Sequence, residues 1–378
     1  MKKALKIFLF VILLLMVAVA CVWNGELRTL ASLDKVDEYL YEIDYKARYD
    51  LDEVVVSDID ANAKLLDYVI RKVAKGLPIK VKTSTNTGAF AEPASDNAEH
   101  CTSFQARNAD EQGWIYGRNY DFYKNPTLVT YSHPKHGYAS VAVSDMSHFG
   151  YSLHKVPTGF FSRALCLAAV YAPVDGMNEK GLCTSIMALP KQPSQQDSGK
   201  HKVGTTIIMR LFLDRCATVD EALALLSTVD VRHDVDAGSG YHYMVADAQG
   251  NCAVIEFDKN DGWKTMIVRK PADQNHMLVT NHLLSPKYYT TQPDPAVGNP
   301  HSRSWWRYET AGNYLNERNG ILTPAQAAEC LRLVHWKDLV WDNGMVEDTQ
   351  YSAIYDQQRH TLTLHPWNKY EETYSFDL

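Results

Sequence analysis

The spacing of apolar residues changes character three times along the chain. From Ile7 to Ala20 the run is unbroken, preceded by Lys2, Lys3 and Lys6 and closed by Ala18-Val19-Ala20-Cys21. A basic start, a short apolar stretch and small residues at its end describe a secretory signal over residues 1–20. Extended to Trp23 at most, the run falls short of the ~20 residues that comfortably span a bilayer. Three readings of its end stand: a lipoprotein cut ahead of an acylated Cys21, a plain cut after Ala18-x-Ala20, and an uncleaved anchor. Ala18 occupies the place where a lipoprotein signal usually carries Leu. The expected location is exported, either periplasmic or held at a membrane as a lipoprotein.

In residues 26–75 the period becomes three to four. Leu27, Leu30, Leu33, Val36, Leu40 and Ile43 recur at that spacing, as do Leu65, Leu66, Val69, Ile70 and Val73. This predicts helices, ended by Gly76-Leu77-Pro78. Residues 83–100 are small and polar with almost nothing to bury, which predicts a surface loop or linker running directly into Cys101.

After Cys101 the pattern shortens to strands. Thr102–Arg107 and Trp114–Asn119 flank the turn formers of 108–113, predicting a hairpin. Tyr241–Ala246 with Cys252–Phe257, and Tyr351–Tyr355 with Thr361–His365, predict two more. Between them Thr205–Cys216, Val219–Ser227 (Thr218 as N-cap), Ser304–Glu317 and Pro324–Val334 are amphipathic helices. Strands, helices and strands again make an α+β domain.

Composition narrows the function. In 378 residues, 38 Lys+Arg stand against 45 Asp+Glu, a net charge of −7, with no long basic run. Phosphate binding needs clustered positive charge, so nucleic acid is excluded as the main partner. Seven cysteines without a CxxC pair are too sparse for a disulfide scaffold and do not form a structural zinc site. His133-Pro134-Lys135-His136 has metal-like spacing, but Pro134 bars a regular helix and no third ligand adjoins it. No metal and no cofactor is implied. His242, His282 and His335 read as core or loop histidines, and no GxSxG, P-loop or HExxH is present.

Cys101 is the sharpest candidate nucleophile. Cys166, Cys183, Cys216, Cys252 and Cys330 read as small buried hydrophobes, whereas Cys101 opens the first strand after the linker. If the His100–Cys101 bond were cut, Cys101 would carry a free α-amine with a reference pKa of ~7.7–8.0. Such an amine accepts the thiol proton, placing nucleophile and base in one residue.

Five ordered motifs carry a resemblance. They are Cys101-Thr102-Ser103-Phe104, Gly117-Arg118-Asn119-Tyr120-Asp121-Phe122, Asp175-Gly176-Met177-Asn178-Glu179-Lys180-Gly181-Leu182, Val279-Thr280-Asn281-His282 and Ser304-Trp305-Trp306-Arg307-Tyr308. Together they resemble the choloylglycine hydrolase family, the linear amide C–N hydrolase branch of the N-terminal nucleophile hydrolases. That family includes bile salt hydrolases and penicillin V acylases, with acid ceramidase as a relative. The resemblance implies an αββα four-layer sandwich over residues 101–378. Residues 21–100 would then be a helical propeptide or small subunit with its linker, released by self-cleavage and able to stay bound.

Carried over position by position, the resemblance makes Cys101 the nucleophile. Arg118 would bias its thiol towards thiolate, and Asp121 would hold its α-amine. Asn281 and Asn178 would line the oxyanion hole, and Arg307 would buttress the site. Tyr120, Phe122, Tyr123, Met187 and Trp305 would wall an acyl pocket. Bland alternatives accompany these roles: Arg118 and Asp121 fit a structural ion pair, and Asn178 and Asn281 fit loop-capping turn formers. The implied activity is a self-processing cysteine amidase acting on small N-acyl or bile-acid amides. An acyltransferase, or a surface-anchored binding protein with an inactive site, are the competing readings.

Overall fold

The computed structural model describes residues 2–77, 100–110, 112–190, 192–234, 239–290, 303–340 and 346–378. Helix α1 (Lys2–Val22) precedes α2 (Asn24–Ala31), strands β1 (Asp34–Asp37) and β2 (Leu40–Tyr45), then α3 (Leu51–Val56) and α4 (Asn62–Ala74). From His100 the chain forms β3 (His100–Asn108), β4 (Trp114–Tyr123), β5 (Thr127–Ser132) and β6 (Ser140–Asp145). A short α5 (Phe160–Arg163) leads to β7 (Asp175–Asn178), β8 (Cys183–Pro190) and β9 (His201–Gly204). Next come α6 (Thr205–Arg215), α7 (Val219–Leu226), β10 (Val229–Arg232), β11 (Ser239–Ala246), β12 (Cys252–Asp258), β13 (Lys264–Arg269) and β14 (His276–Val279). The remainder holds α8 (Ser304–Glu317), β15 (Ile321–Leu322), α9 (Pro324–Leu333), β16 (Leu339–Val340), β17 (Val346–Asp356), β18 (Thr361–Pro366) and β19 (Tyr374–Asp377).

Two large sheets stack face to face. One has nine strands in the order β1-β2-β5-β6-β7-β8-β11-β12-β13; the other has eight, built on β14-β3-β4-β17-β18-β19 with β15 and β16 at its margins. Helices α8 and α9 cover the outer face of the second sheet, and α6 lies on β7 and β8 of the first. This is the expected α+β sandwich, with helices outside two packed sheets. The three predicted hairpins form, antiparallel and in direct register, and α6 to α9 fall within a residue or two of their expected bounds. Thr218 caps α7 by accepting Glu221 N–H at 3.2 Å. Thr323 and Gln326 close a capping box around Pro324 at the start of α9.

The N-terminal segment departs from expectation. It is helical only in part: β1 and β2 interrupt it, and β2 pairs in parallel with β5, from Leu40 opposite Thr127 to Tyr45 opposite Ser132. Tyr41, Ile43 and Tyr45 alternate with Glu42 and Asp44, a period of two that buries one face. The three-to-four spacing through Leu33, Val36 and Leu40 therefore crosses an element boundary rather than tracing one helix. This segment is woven into the body: Tyr45 OH donates to Leu167 O at 3.0 Å, Tyr49 OH to Asp214 Oδ1 at 3.2 Å, and Tyr68 meets Tyr171 edge-on at 5.8 Å.

Two further differences concern the ends of that segment. The continuous helix makes Ala4–Val22 long and apolar enough to cross a bilayer, a property it shares with signal sequences. Of the expected linker, residues 83–99 lie outside the described residues. His100, its last member, is instead the buried first residue of β3.

Candidate active site

Strand alternation sorts the site residues onto two faces of the eight-stranded sheet. On β3, Cys101, Ser103 and Gln105 point between the sheets, where Ser103 Oγ meets Ser185 Oγ of β8 at 3.0 Å and Gln105 donates to Asp247 O at 3.0 Å. His100, Thr102 and Phe104 point towards α8 and α9. On β4, Tyr116, Arg118 and Tyr120 share the inner face, and Gly117, Asn119 and Asp121 the outer one, because Cys101 pairs directly with Tyr120 and His100 with Asp121. Gly117 is required where it stands: a Cβ there would lie 2.4 Å from the Phe104 ring.

Cys101 is fully buried and sits where a ladder ends. The β14 strand pairs with β3 only as far as Val279 opposite Ser103. Beyond that point side chains replace the missing strand. Cys101 N–H donates to Asn281 Oδ1 at 2.8 Å, and Arg307 Nη1 donates to Cys101 O. Arg307 also donates to Asn281 Oδ1 at 2.8 Å and to Thr102 Oγ1 at 3.1 Å, so one guanidinium from α8 ties the two residues together. Burial pushes the Arg307 pKa down, against the pull of Asp121 and Cys101. Asn281 is itself fixed by Ser304 Oγ, which accepts its backbone N–H at 2.9 Å, and by its own Nδ2 donating to Ala188 O at 2.9 Å.

Arg118 and Asp121 do not form an ion pair; they lie on opposite faces. Arg118 is completely buried, with Nε 3.5 Å from Asp175 and Nη1 3.4 Å from Ser103 Oγ, and among the described residues its Nη2 has no hydrogen-bond partner. Burial disfavours its charge, but the neighbouring Cys101 thiol and Asp175 carboxylate outweigh that and raise its pKa. Asp175 in turn accepts from the hydroxyls of Tyr351 and Tyr355. Asp121 accepts from Thr349 Oγ1 at 2.5 Å, and burial pushes its carboxyl pKa up to about 8, against the pull of Arg307.

Asn178 is not available as an oxyanion donor. Its Nδ2 spends both hydrogens, on Leu213 O at 2.9 Å and Cys216 O at 2.7 Å, and its Oδ1 accepts from the backbone of Lys180 and Leu182. A turn former that ties the end of α6 to the β7–β8 loop has no amide hydrogen left for substrate.

Among the expected pocket residues, Tyr120, Phe122 and Met187 share the inner side with Cys101. Tyr120 stacks on Tyr351 at 5.5 Å, and Met187 lies two residues beyond Ser185 on β8. Tyr123 has the opposite parity, at the end of β4. Trp305 stacks on His282 at 3.7 Å, behind Asn281. His282, held by Ser304 Oγ at 2.8 Å, has its pKa driven down to about 3 by burial, so it is neutral. His133 and His136 are exposed.

Sequence reading missed Asp175, Tyr351 and Thr349, and the pair His242–Glu256 that holds the Asn281 loop. Glu256 accepts the amides of Leu284 and Ser285, and His242 Nε2 donates to Thr280 O at 2.7 Å. Asp175 had a local signal, its place at the head of the third motif; the others had none.

A four-layer sandwich with a cysteine at the head of an inner strand, its backbone nitrogen held by a side chain, defines an N-terminal nucleophile hydrolase. Residues 98–366 match the acyl-coenzyme A:6-aminopenicillanic acid acyl-transferase family, and the chain belongs to that family. Among solved structures, a variant of conjugated bile acid hydrolase from Clostridium perfringens has a similar fold, at TM-score 0.53 and 16% identity over 73% of this chain and 92% of its own. A second variant of the same hydrolase gives TM-score 0.50 at 17% identity over 74% and 92%. Penicillin V acylase from Agrobacterium tumefaciens gives TM-score 0.47 at 19% identity over 74% and 86%. No curated protein matches the chain in sequence.

Proposed function

We propose that this chain is an exported cysteine amidase that activates itself by cutting the His100–Cys101 bond. The observation that carries this reading is the hold on Cys101: its nitrogen on Asn281 Oδ1 at 2.8 Å, its carbonyl on Arg307, and its side chain on the Arg118 face. Once free, the α-amine takes the thiol proton. The thiolate then attacks the carbonyl carbon of an N-acyl amide, the resulting ammonium protonates the leaving amine, and water resolves the thioester. The new ammonium also adds to the positive charge that Arg307 already brings to Asp121.

The surroundings support one class of substrate. Tyr120, Phe122 and Met187 offer an apolar wall to an acyl or steroid-acyl group, with a small amine or amino acid as the leaving group. Helix α1 carries the export signal, and Cys21 in its last turn is the acceptor of a lipid anchor. The segment from α2 to α4 stays with the catalytic body after cleavage, since β2 is a strand of its sheet.

The test is mass spectrometry of the purified protein, with amine release measured on conjugated bile acids, N-acyl amino acids, N-acylethanolamides and penicillin V. A fragment beginning at Cys101 is expected, absent in Cys101→Ala along with amide hydrolysis. An active preparation containing only uncut chain would refute self-processing. A second reading, acyl transfer to another amine, is favoured by the description of the matching family. Amine and water compete for one thioester, so an N-acylated product formed on adding amine would select it.

A further inference from the structure

The residue ahead of the scissile bond is built into the protein as firmly as the nucleophile behind it. His100 and Glu347 are both buried, and His100 Nδ1 lies 2.6 Å from Glu347 Oε1. The imidazole packs on Trp336 at 5.3 Å between ring centroids. Trp336 is itself pinned to β17, its backbone N–H donating to Thr349 Oγ1 at 2.8 Å and its carbonyl accepting from Thr349 N–H at 3.1 Å. His100, Asp121 and Thr349 form one cross-strand row over β3, β4 and β17, and Glu347 lies two residues from Thr349 on the same face. These groups enclose the side chain of a residue that amide hydrolysis does not use.

We infer that Glu347 and Trp336 form a clamp for the side chain at position 100, making His100 and Glu347 positioning residues for self-cleavage. The inference rests on the proposed cut at His100–Cys101. In that step the Cys101 sulfur bonds to the His100 carbonyl carbon, the bond from that carbon to Cys101 N breaks, and the thiol proton ends on the nitrogen. Water then splits the thioester: its oxygen and one hydrogen complete the His100 carboxyl group, and its other hydrogen restores the thiol. The sulfur must reach the carbonyl of the preceding residue, so the orientation of that one peptide plane sets the rate.

Side chains of consecutive strand residues project to opposite faces. The clamp grips the His100 ring on the outer face while the thiol lies on the inner one. Gripping one side of the peptide leaves the carbonyl carbon presented to the sulfur on the other, where misplacement by even about 1 Å costs rate by orders of magnitude. The Asn281 contact holds the Cys101 nitrogen of the same plane, and Arg307 holds the carbonyl of the next one. Without the clamp the His100 side chain no longer helps to fix the other end.

The experiment follows processing of the full chain in cell-free synthesis, by intact mass, for His100→Asn, the apolar pair His100→Leu/Glu347→Leu, and Glu347→Leu alone. Asn keeps a donor near the position of Nδ1, whereas the double variant removes the hydrogen bond without leaving an unpaired buried charge. Expected are cleavage of His100→Asn within a few-fold of the parent and cleavage at least roughly tenfold slower in both Glu347→Leu chains. Turnover per chain bearing Cys101 at its terminus should be unchanged in His100→Asn. Glu347→Leu leaves no carboxylate buried without its partner, so it decides the matter should the double variant not melt cooperatively. Wild-type rates in folded Glu347→Leu chains, or a His100→Asn chain as slow as they are, would overturn the clamp. A parent chain that never cuts would instead overturn the self-processing it rests on.

Discussion

Asn281 Oδ1 accepts the backbone N–H of Cys101 at 2.8 Å, taking the place of the strand carbonyl that β14 no longer supplies. The same side chain has an oxygen end on the Cys101 nitrogen and an amide end on Ala188 O of β8. Replacing it by Asp keeps the acceptor and the Arg307 contact but removes the N–H donors. Asn281→Asp is therefore expected to keep self-cleavage measurable while lowering kcat per cleaved chain by about 10²-fold, with KM little changed. An unaltered kcat would remove Asn281 from the oxyanion hole.

The Asp121 carboxyl makes stability depend on pH in a defined direction. Its pKa is about 8 in the folded chain against an ordinary 3.8, so between those values the folded chain keeps a proton that the unfolded chain has lost. Folding then takes up a proton, and this group's contribution to stability falls as pH rises across the window. In a Cys101→Ala background that blocks cleavage, Asp121→Asn should raise Tm little near the lower value and progressively more towards the upper one. A gain that does not grow with pH would contradict the burial-driven shift.

Asn178 is expected to matter for stability alone. Asn178→Ala leaves two buried carbonyls, of Leu213 and Cys216, without their donors, at a cost of about 1–3 kcal/mol for each. Denaturant melts of the Cys101→Ala chain with and without the change measure that loss. The kcat per cleaved chain should hold; a large fall in kcat with stability intact would return Asn178 to the catalytic site.

Cleavage is expected to leave a two-piece protein. Tyr49 OH reaches Asp214, which is ion-paired to the buried Arg210 at 2.6 Å, so departure of the N-terminal piece would expose that pair and the β5 edge together. Gel filtration of the processed protein should show both pieces co-eluting, separating only in denaturant. Ile43→Asp, which places a charge on the buried face of β2, should release the smaller piece or prevent folding. Free elution of the native small piece would refute its retention.

Local sequence revealed most of the catalytic body. The hairpin at Thr102–Asn119 was legible because alternation and turn formers act within twenty or so residues, and α8 because its apolar spacing lies within one element. The stretch through Leu33 and Ile43 misled because a three-to-four spacing continued by chance across a turn, and the edge of β5 that makes 40–45 a strand comes from far along the chain. Asn178 misled because its motif marks a tight turn, and a turn former uses its amide on its own neighbours.

What the chain determined by itself is which residues share a face: period-two strands put Cys101, Ser103, Arg118 and Tyr120 inward and His100 and Asp121 outward. Which group meets which was decided only in the assembled sheets. His100 and Glu347 lie 247 positions apart, and Cys101 and Asn281 180, separations over which side-chain spacing carries no information. Periodicity is a property of one element, whereas a hydrogen bond between elements depends on strand order and register, which the packing of the two cores sets.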